Sequence, residues 1–383
     1  MSEKQFDVAI VGAGIIGLAH AYLAAKAGHS VVVFERNPVP IGASIRNFGM
    51  IWPIGQPAGT LHQTALRSRE IWLDILREAD LPYQATGSLH AVYRADEAEV
   101  GMEFAEKATS LGYDCAWLKA KEAASRGAVL NPNGLLGALW SPVELTVDPR
   151  LAMNQLPEFL AERYGVEFHF NTAIRHIAMP SLTAGSRSWK AETVVLACGD
   201  DYQTLFPETL EGLNLERCKL QMLRTVAQPP TWQLGPSLAF GLTFRHYPAF
   251  QICESLPALV ARVAAETPEL DRWGIHVMVS ATADGALTLG DSHQYGLAVD
   301  IFDRAEINHL IVEYVRQRVR APKLEIEQLW HGVYAKHPVE PYIRYSPAPN
   351  VQGIVVTSGA GMTLSFGLAE QTLAQIGVLS RCA

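Results

Sequence analysis

The chain has 383 residues, of which 49% are hydrophobic and 18% are charged. This length exceeds what one compact core usually accounts for, so we expect two domains. The formal net charge of -8, without a long basic run, argues against a nucleic-acid surface, because phosphate contacts need clustered Lys and Arg. The scattered cysteines lack metal-ligand spacing and predict reduced intracellular thiols and no metal site; they are Cys115, Cys198, Cys218, Cys253 and Cys382.

The first predicted elements lie within an apolar, uncharged stretch from Val8 to Ala25. A stretch of this kind resembles a signal peptide or a membrane span. Its glycines predict instead a strand, a tight turn and a helix that ends at Gly28. Apolar residues recur along the helix at helical spacing, namely Ile16, Ala19, Leu23 and Ala27. We therefore expect no membrane span and a cytoplasmic location.

The turn carries the spacing Gly12-x-Gly14-x-x-Gly17, with a predicted strand before it and a helix after it. This context is typical of a dinucleotide-binding turn. Gly12 permits the turn, Gly14 lets backbone N–H groups approach a pyrophosphate, and Gly17 lets helix and strand pack closely. Ile16 belongs to the same candidate cofactor contact.

A second predicted strand, 30–34, delivers Glu35, roughly 20 positions after the turn. A carboxylate there is expected to accept a hydrogen bond from a ribose hydroxyl. Arg36 is also a cofactor candidate and would suit a 2′-phosphate. Glu35 would repel that phosphate, however, so the sequence favours FAD or NAD over NADP.

A polar, glycine-rich loop follows, IGASIRNFGMIWPIGQ at 41–56, where an NAD enzyme would normally continue with regular αβ alternation. Such a loop suits an extended cofactor. Its candidate cofactor contacts are Ser44, Arg46 and Asn47, and Trp52 is a candidate for the active site.

This arrangement resembles the FAD-dependent amine and amino-acid oxidoreductases, the superfamily of D-amino acid oxidase, glycine oxidase and sarcosine oxidase. The resemblance implies an α/β fold, α+β overall. A discontinuous Rossmann-like FAD-binding domain is expected from residues 1–80, 140–215 and 330–383. A substrate domain with a mixed or antiparallel sheet is expected from residues 81–139 and 216–329, with helices near 97–111 and 303–319.

Three later segments extend the resemblance. GVEFHFNTAIRHI at 165–177 reads as a strand pair whose family counterpart contacts the adenine side, with Ala173 and Ile174 as candidates. The strand within 192–206 ends in a second cofactor turn, with Ala197 and Gly199 as candidates. The segment 353–373 reads as strand, turn and helix, and in the family this helix N-terminus faces the flavin. Its candidates are Gly359, Gly361, Met362, Thr363 and Leu364.

An amine substrate with an acidic end requires an apolar wall beside the flavin and a cation for the acid. The candidate cations are Arg46, Arg224, Arg245, Lys336 and Arg344. TFRHYPAF at 243–250 adds His246 and Tyr247 to the candidate catalytic residues, and LWHGVYAK with the following residue adds Tyr334 and His337. Three alternatives stay open: Arg245 as a surface residue, Arg46 as an FAD contact, and His337 as a buried structural residue.

SIRNFGMIWPIGQPAG resembles a subgroup associated with aminophosphonate breakdown. The resemblance implies oxidation of a small anionic amine, 2-aminoethylphosphonate or its N-methyl derivative. The alternatives are a D-amino acid, glycine or sarcosine as substrate, and a non-catalytic FAD-binding subunit of a larger assembly. Gly332 lies in the segment that carries the flavin-linking cysteine in sarcosine oxidase-like members, so FAD is expected to be non-covalent. Thr288 lies at the position that matches the oxygen-activating lysine of those members. Whether the protein is an oxidase or a dehydrogenase therefore stays open, with His293 as a candidate replacement for the lysine.

Overall fold

The protein was analysed as a computed structural model, which describes residues 5–379. In this part of the chain the strands are β1 (Gln5–Val11), β2 (Val31–Phe34), β3 (Met50–Ile51), β4 (Tyr83–Gln84), β5 (Ser88–Val92), β6 (Ala116–Lys119), β7 (Gly137–Ser141), β8 (Leu145–Val147), β9 (Glu167–His169), β10 (His176–Ala178), β11 (Ser181–Ala184), β12 (Arg187–Leu196), β13 (Glu216–Thr225), β14 (Ser237–Phe240), β15 (Met278–Ala281), β16 (Leu287–Gly290), β17 (Gln294–Gly296), β18 (Ile326–Lys336), β19 (Tyr342–Ala348) and β20 (Val351–Val356). The α-helices are α1 (Ile15–Lys26), α2 (Thr60–Glu78), α3 (Ala95–Ala108), α4 (Ala120–Arg126), α5 (Pro149–Tyr164), α6 (Pro207–Leu210), α7 (Leu256–Glu266), α8 (Pro268–Arg272), α9 (Ala305–Arg318) and α10 (Gly361–Gln375).

The first large sheet has the order β10-β11-β12-β1-β2-β9, and β20 joins it beside β12 with β19 at its edge. Its centre is parallel: β1 pairs with β2 and with β12, and β12 pairs with β20. Parallel strands need cover on both faces, which explains the continuous apolar runs at 8–11 in β1 and 31–34 in β2. Helices α1, α2 and α10 pack together in the core on one face. This is the Rossmann-like half that the sequence predicts.

The second large sheet has the order β17-β13-β16-β15-β14-β5-β7-β6. Its pairs are antiparallel except β14 with β5, so the sheet is mixed. Helices α3 and α9 lie where the sequence predicts helices near 97–111 and 303–319. A small third sheet joins β3, β8 and β4. The mixed α/β architecture confirms the expected fold class.

Strand β18 connects the two halves. It pairs with β13 from Glu216↔Lys336 to Thr225↔Ile326 and so belongs to the second sheet. The domain boundary predicted at residue 330 therefore falls inside this strand. The reason is that β18 satisfies the backbone groups along one edge of β13, whose other edge pairs with β16 and β17, and local sequence at 326–336 does not reveal that pairing.

The segment 165–177 does not form a strand pair with itself. Strand β9 pairs parallel with β2, whereas β10 pairs antiparallel with β11 at the opposite edge of the first sheet. Both strands thus extend existing sheet edges. The turn between them, which contains Ala173 and Ile174, is left free to line a cavity.

The described cysteines, Cys115, Cys198, Cys218 and Cys253, are free thiols. Burial raises the pKa of each to about 12, so they remain protonated at neutral pH. Cys382 lies outside the described residues. Within residues 5–379 we found no helix with both the length and the apolar character that crossing a bilayer requires.

Candidate active site

A cavity of about 630 Å³ is lined by residues of both large sheets. One end lies at the carboxyl ends of β1 and β12, where parallel strands present their loops. The other end lies against β13, β15 and β18 of the second sheet. A single cavity therefore joins the predicted nucleotide-binding turn to the predicted substrate side.

The glycine-rich turn is shaped by close backbone approaches. A Cβ at Gly12, where φ is +108°, would lie 2.3 Å from the carbonyl oxygen of Ala197. A Cβ at Gly17 would lie 1.9 Å from the carbonyl oxygen of Gly12. Gly12, Gly14 and Ile16 line the cavity, whereas Gly17 lies behind the turn and holds α1 close to β1.

Glu35 lines the cavity just beyond β2 and is 9% exposed. Its Oε2 accepts a hydrogen bond from the backbone N–H of Ala13 at 3.1 Å, and its Oε1 accepts from the backbone and side chain of Asn37. These bonds fix the carboxylate beside the turn. Arg36 forms an ion pair with Asp201 at 2.7 Å, so its charge is matched within the protein, in line with FAD or NAD rather than NADP.

Hydrogen bonds made by its polar side chains hold the loop 41–56 in place along the cavity. Ser44 Oγ accepts from the backbone N–H of Ile15 at 2.9 Å, which ties the loop to the start of α1. Asn47 Nδ2 donates to the carbonyl oxygens of Ala43 and Ser44. Arg46 donates to the His331 carbonyl oxygen at 3.3 Å. Ser44, Arg46 and Asn47 all line the cavity.

Helix α10 points its N-terminus into the cavity. It begins at Gly361 without a capping side-chain hydrogen bond, so its first backbone N–H groups and its positive dipole end are available to a ligand. Thr363 Oγ1 accepts from the backbone N–H of Trp52 at 2.9 Å and links this end to the loop. Gly359, Gly361, Met362 and Thr363 line the cavity; Leu364 is fully buried in the core instead.

The residues present fit an FAD. Ala173, Ile174, Ala197 and Gly199 complete the lining at the nucleotide end. Within residues 5–379, the buried Ser358 Oγ and Trp52 Nε1 have no hydrogen-bond partner, and buried polar groups are rarely left so without a ligand or water. Ser358 and Trp52 both line the cavity.

At the other end the structure brings together Trp52, His246, Tyr247 and Tyr334 with Leu220, Met222 and Met278. These apolar and aromatic side chains form the wall that the sequence predicts for a flavin ring. Arg245 and His337 do not line the cavity. Arg245 is paired with Asp271 at 2.6 Å, and His337 Nδ1 accepts from the backbone N–H groups of Val339 and Glu340.

Of the five candidate cations, Arg46 lines the cavity. Arg224 is paired with Asp284, Arg344 donates to Gln371 at 2.9 Å, and Lys336 lies 5.9 Å from the ring centroid of Tyr295. Thr288 lies in the centre of β16 and is 4% exposed, away from the cavity lining. The cations expected for an acidic substrate are thus mostly engaged elsewhere.

A cluster of His246, His276, His293 and Asp291 lies at the substrate end and lines the cavity. One ring nitrogen of each of these three histidines lies within 4.8 Å of the corresponding nitrogens of the other two. His276 Nε2 is 3.2 Å from Asp291 Oδ1, and His293 Nε2 is 4.0 Å from Asp291 Oδ2. His293 Nδ1 lies 3.2 Å from the Gly274 carbonyl oxygen, which fixes this nitrogen as the protonated one.

Burial sets the protonation of this cluster. It lowers the pKa of His246 and His276 well below the usual range and that of His293 to about 4, and the neighbouring cations act in the same direction. Burial also raises the pKa of Asp291 well above its usual range. Burial therefore favours the neutral form of the three imidazoles and the protonated form of the Asp291 carboxyl.

Sequence reasoning missed His276 and Asp291 and singled out His293 for another role. A signal was available: β15 and β16 pair antiparallel with Met278 opposite Gly290. Residues just before the first strand of a hairpin and just after the second meet at one end of it. IHVMVSATADGALTLGDSH therefore places His276 beside Asp291 and His293 once the hairpin is recognised.

The chain was compared with known proteins. Residues 7–375 match the family model described as FAD dependent oxidoreductase. A D-amino acid dehydrogenase of Helicobacter pylori is 27% identical over 252 residues, covering 50% of this chain and 60% of that protein. A glycine oxidase of Geobacillus kaustophilus is 28% identical over 208 residues, covering 51% and 55%. The chain thus spans between 55% and 60% of the length of these curated relatives.

The fold comparison covers nearly the whole chain. The crystal structure of glycine oxidase from Geobacillus kaustophilus has a TM-score of 0.76 at 19% identity and covers 99% of this chain and 100% of its own. This likeness shows a shared fold. Together with the family match, it confirms the resemblance drawn from the sequence and the expected FAD cofactor. The chain belongs to the FAD dependent oxidoreductase family.

Proposed function

We propose that this protein oxidises the C–N bond of a small anionic amine with FAD, and that the amine is 2-aminoethylphosphonate or its N-methyl derivative. The observation that carries the proposal is the single cavity of about 630 Å³. It joins a dinucleotide-binding turn at one end to an apolar, aromatic and imidazole-rich pocket at the other. A nucleotide-binding fold whose cavity continues into such a pocket suits chemistry between a cofactor and a small molecule.

A bound FAD would supply a hydride acceptor for the carbon next to the amine nitrogen, and hydrolysis of the resulting imine would release a carbonyl compound and either ammonia or methylamine. The protein contributes position and environment. Trp52, Tyr247 and Met278 would exclude water from the reacting carbon. The N-terminus of α10 would stabilise negative charge on the reduced ring.

The substrate class rests on two features. The loop SIRNFGMIWPIGQPAG carries the resemblance to flavoproteins of aminophosphonate breakdown. The substrate end also offers imidazoles rather than a free arginine to an acid group, whether phosphonate or carboxylate. The names of the relatives support the runner-up, an amino acid such as glycine, sarcosine or a D-amino acid.

A substrate panel tests the proposal. Purified FAD-loaded protein is incubated with N-methyl-2-aminoethylphosphonate, 2-aminoethylphosphonate, sarcosine, glycine and D-alanine, once in air and once with an artificial electron acceptor. N-methylbutylamine serves as the matched amine without an acid group. We expect an aldehyde product from a phosphonate and none from N-methylbutylamine. Product from an amino acid alone would move the protein to the runner-up, and turnover only with the artificial acceptor would mark a dehydrogenase.

The non-catalytic alternative makes a different prediction in the same panel. An FAD-binding subunit would bind the cofactor tightly but give no product with any amine under either acceptor. We expect turnover instead, and we expect it to persist in the Tyr334→Phe variant. This variant removes the hydroxyl but keeps the ring against Gly359, and it should retain FAD.

A further inference from the structure

The polar end of the cavity has an unusual composition. His246, His276 and His293 lie in three separate loops, yet their rings lie close together: the ring centroids of His246 and His276 are 4.0 Å apart, and those of His246 and His293 are 4.2 Å apart. His276 is 3% exposed; its Nε2 lies 3.2 Å from Asp291 Oδ1, and within residues 5–379 its Nδ1 has no hydrogen-bond partner. A buried imidazole nitrogen without a partner beside a cavity calls for a ligand.

The charges around the three rings identify the ligand's sign. The charged side chains that act on these imidazoles from outside the cluster are the cations Lys336 and Arg245. Arg245 is partly balanced by Asp271. Burial favours the protonated, neutral form of the Asp291 carboxyl, because it raises the pKa of this group well above the usual range. The other titratable neighbours are His90, which acts on His276, Tyr247 at 5.2 Å from the His246 ring and Tyr295 at 6.1 Å from the His293 ring.

The ring orientations disfavour a metal ion as the ligand. The lone pair of an imidazole nitrogen lies in the ring plane. The planes of His276 and His293 differ by 19°, those of His246 and His276 by 28° and those of His246 and His293 by 41°. Stacked rings lie face to face, whereas a tetrahedral metal ion needs the in-plane lone pairs of its ligands to converge on one point. The cationic surroundings add repulsion to this misfit.

We propose that His246, His276 and His293 bind the acid group of the substrate, a tetrahedral oxyanion with two negative charges, and that its binding draws protons from solvent onto the imidazoles. The proposal rests on the proposed function for its substrate but concerns the anion alone. Each neutral ring already carries one N–H donor, and protonation adds a second when a dianion enters, since the opposite charge favours the protonated form. A carboxylate, with one charge and planar geometry, is bound less well.

Proton uptake on anion binding fixes the direction in which anion affinity changes with pH. The empty imidazoles are neutral near pH 7, and the occupied cluster holds more protons than the empty one. Anion affinity must therefore rise as pH falls, by about tenfold per pH unit for each proton taken up.

The test uses the FAD-loaded protein and two probes that carry no amine, sulfate and methylphosphonate. Sulfate keeps both charges from pH 6 to 8, so any proton taken up with it belongs to the protein. Dissociation constants come from perturbation of the flavin absorbance, and proton uptake comes from calorimetry in buffers of different ionisation enthalpy. We expect about one proton taken up per sulfate at pH 7.5 and tighter binding at pH 6 than at pH 8.

Variants locate the site. His276→Gln and His293→Gln should each weaken sulfate and methylphosphonate binding about 10- to 100-fold, the effect of losing a charge-assisted hydrogen bond. His62→Gln is the matched control, because His62 is also buried but lies away from this cavity beside Tyr113. Affinity should be unchanged in that control.

The opposing outcomes are distinct. Sulfate binding without proton uptake or without pH dependence would overturn the proposal. The proposal would also fail if the His276 and His293 variants bound sulfate and methylphosphonate as tightly as the unchanged protein. Stoichiometric metal in the purified protein that leaves with a chelator, taking the anion affinity with it, would overturn it in favour of a metal site. Failure of the proposed function looks different: no amine would yield product, while sulfate would still bind with proton uptake.

Discussion

Replacing Gly17 by alanine tests whether close packing of α1 on β1 shapes the nucleotide end of the cavity. The added carbon would lie 1.9 Å from the carbonyl oxygen of Gly12 and 3.0 Å from its carbonyl carbon. Helix and strand must then separate by more than about 1 Å to reach van der Waals distance. The obstacle is backbone, which cannot rotate away as a side chain would.

Two effects of this substitution oppose each other. Alanine is the better helix former by about 1 kcal/mol. Overpacking a tight contact costs about 1–3 kcal/mol, and here it also displaces Gly12, which lines the cavity. We expect the free energy of unfolding of the FAD-free protein to fall by about 1 kcal/mol and the FAD dissociation constant to rise about tenfold or more.

The assays are urea denaturation without FAD and quenching of FAD fluorescence on binding. Gly212→Ala is the control, because a Cβ there meets open space and its φ is not in the left-handed region. That variant should stay within about 0.5 kcal/mol of the unchanged protein. If Gly17→Ala binds FAD as tightly as the unchanged protein, the role of this packing in cofactor binding is refuted.

Three further predictions concern the cofactor and the buried histidines. Glu35→Gln should raise the FAD dissociation constant about 10- to 100-fold by weakening the predicted ribose contact; fluorescence titration would refute this by showing no change. Precipitation in trichloroacetic acid should release all yellow colour into the supernatant, since 326–336 contains no cysteine; a coloured pellet would show a covalent flavin. Burial lowers the pKa of His90 to about 3, so the unfolded chain binds its proton first and stability is lost as pH falls below about 6.5. His90→Leu should therefore shrink the loss of unfolding free energy between pH 7 and pH 5 by about 2 kcal/mol in urea denaturation, and an unchanged loss would contradict the assignment.

Much of the nucleotide end could be predicted because its determinants are local in sequence. The strand, turn and helix around Gly12 and Gly14 lie within one short segment, and Glu35 ends the next strand. Helix α10 follows its own glycine-rich turn in the same way. Gly17 and Leu364 differ from the other cofactor candidates in their placement because helical periodicity turns them toward the core rather than the cavity.

The substrate end depends on long-range pairing and was harder to predict. Arg245 reads as a free cation in TFRHYPAF, and its partner Asp271 lies 26 residues further on. His276, Asp291 and His293 meet only because β15 and β16 form a hairpin and because the loop after Phe244 brings His246 onto their rings. A residue type at a loop position therefore indicates chemistry, but its partners depend on tertiary structure.

The most direct test of the proposed function is the anaerobic absorbance of the bound flavin during titration with N-methyl-2-aminoethylphosphonate. We expect the oxidised flavin band to disappear as the phosphonate is added, and N-methylbutylamine at the same concentrations to leave the band unchanged. A flavin that stays oxidised with the phosphonate and with sarcosine, glycine and D-alanine would contradict the proposed amine oxidation.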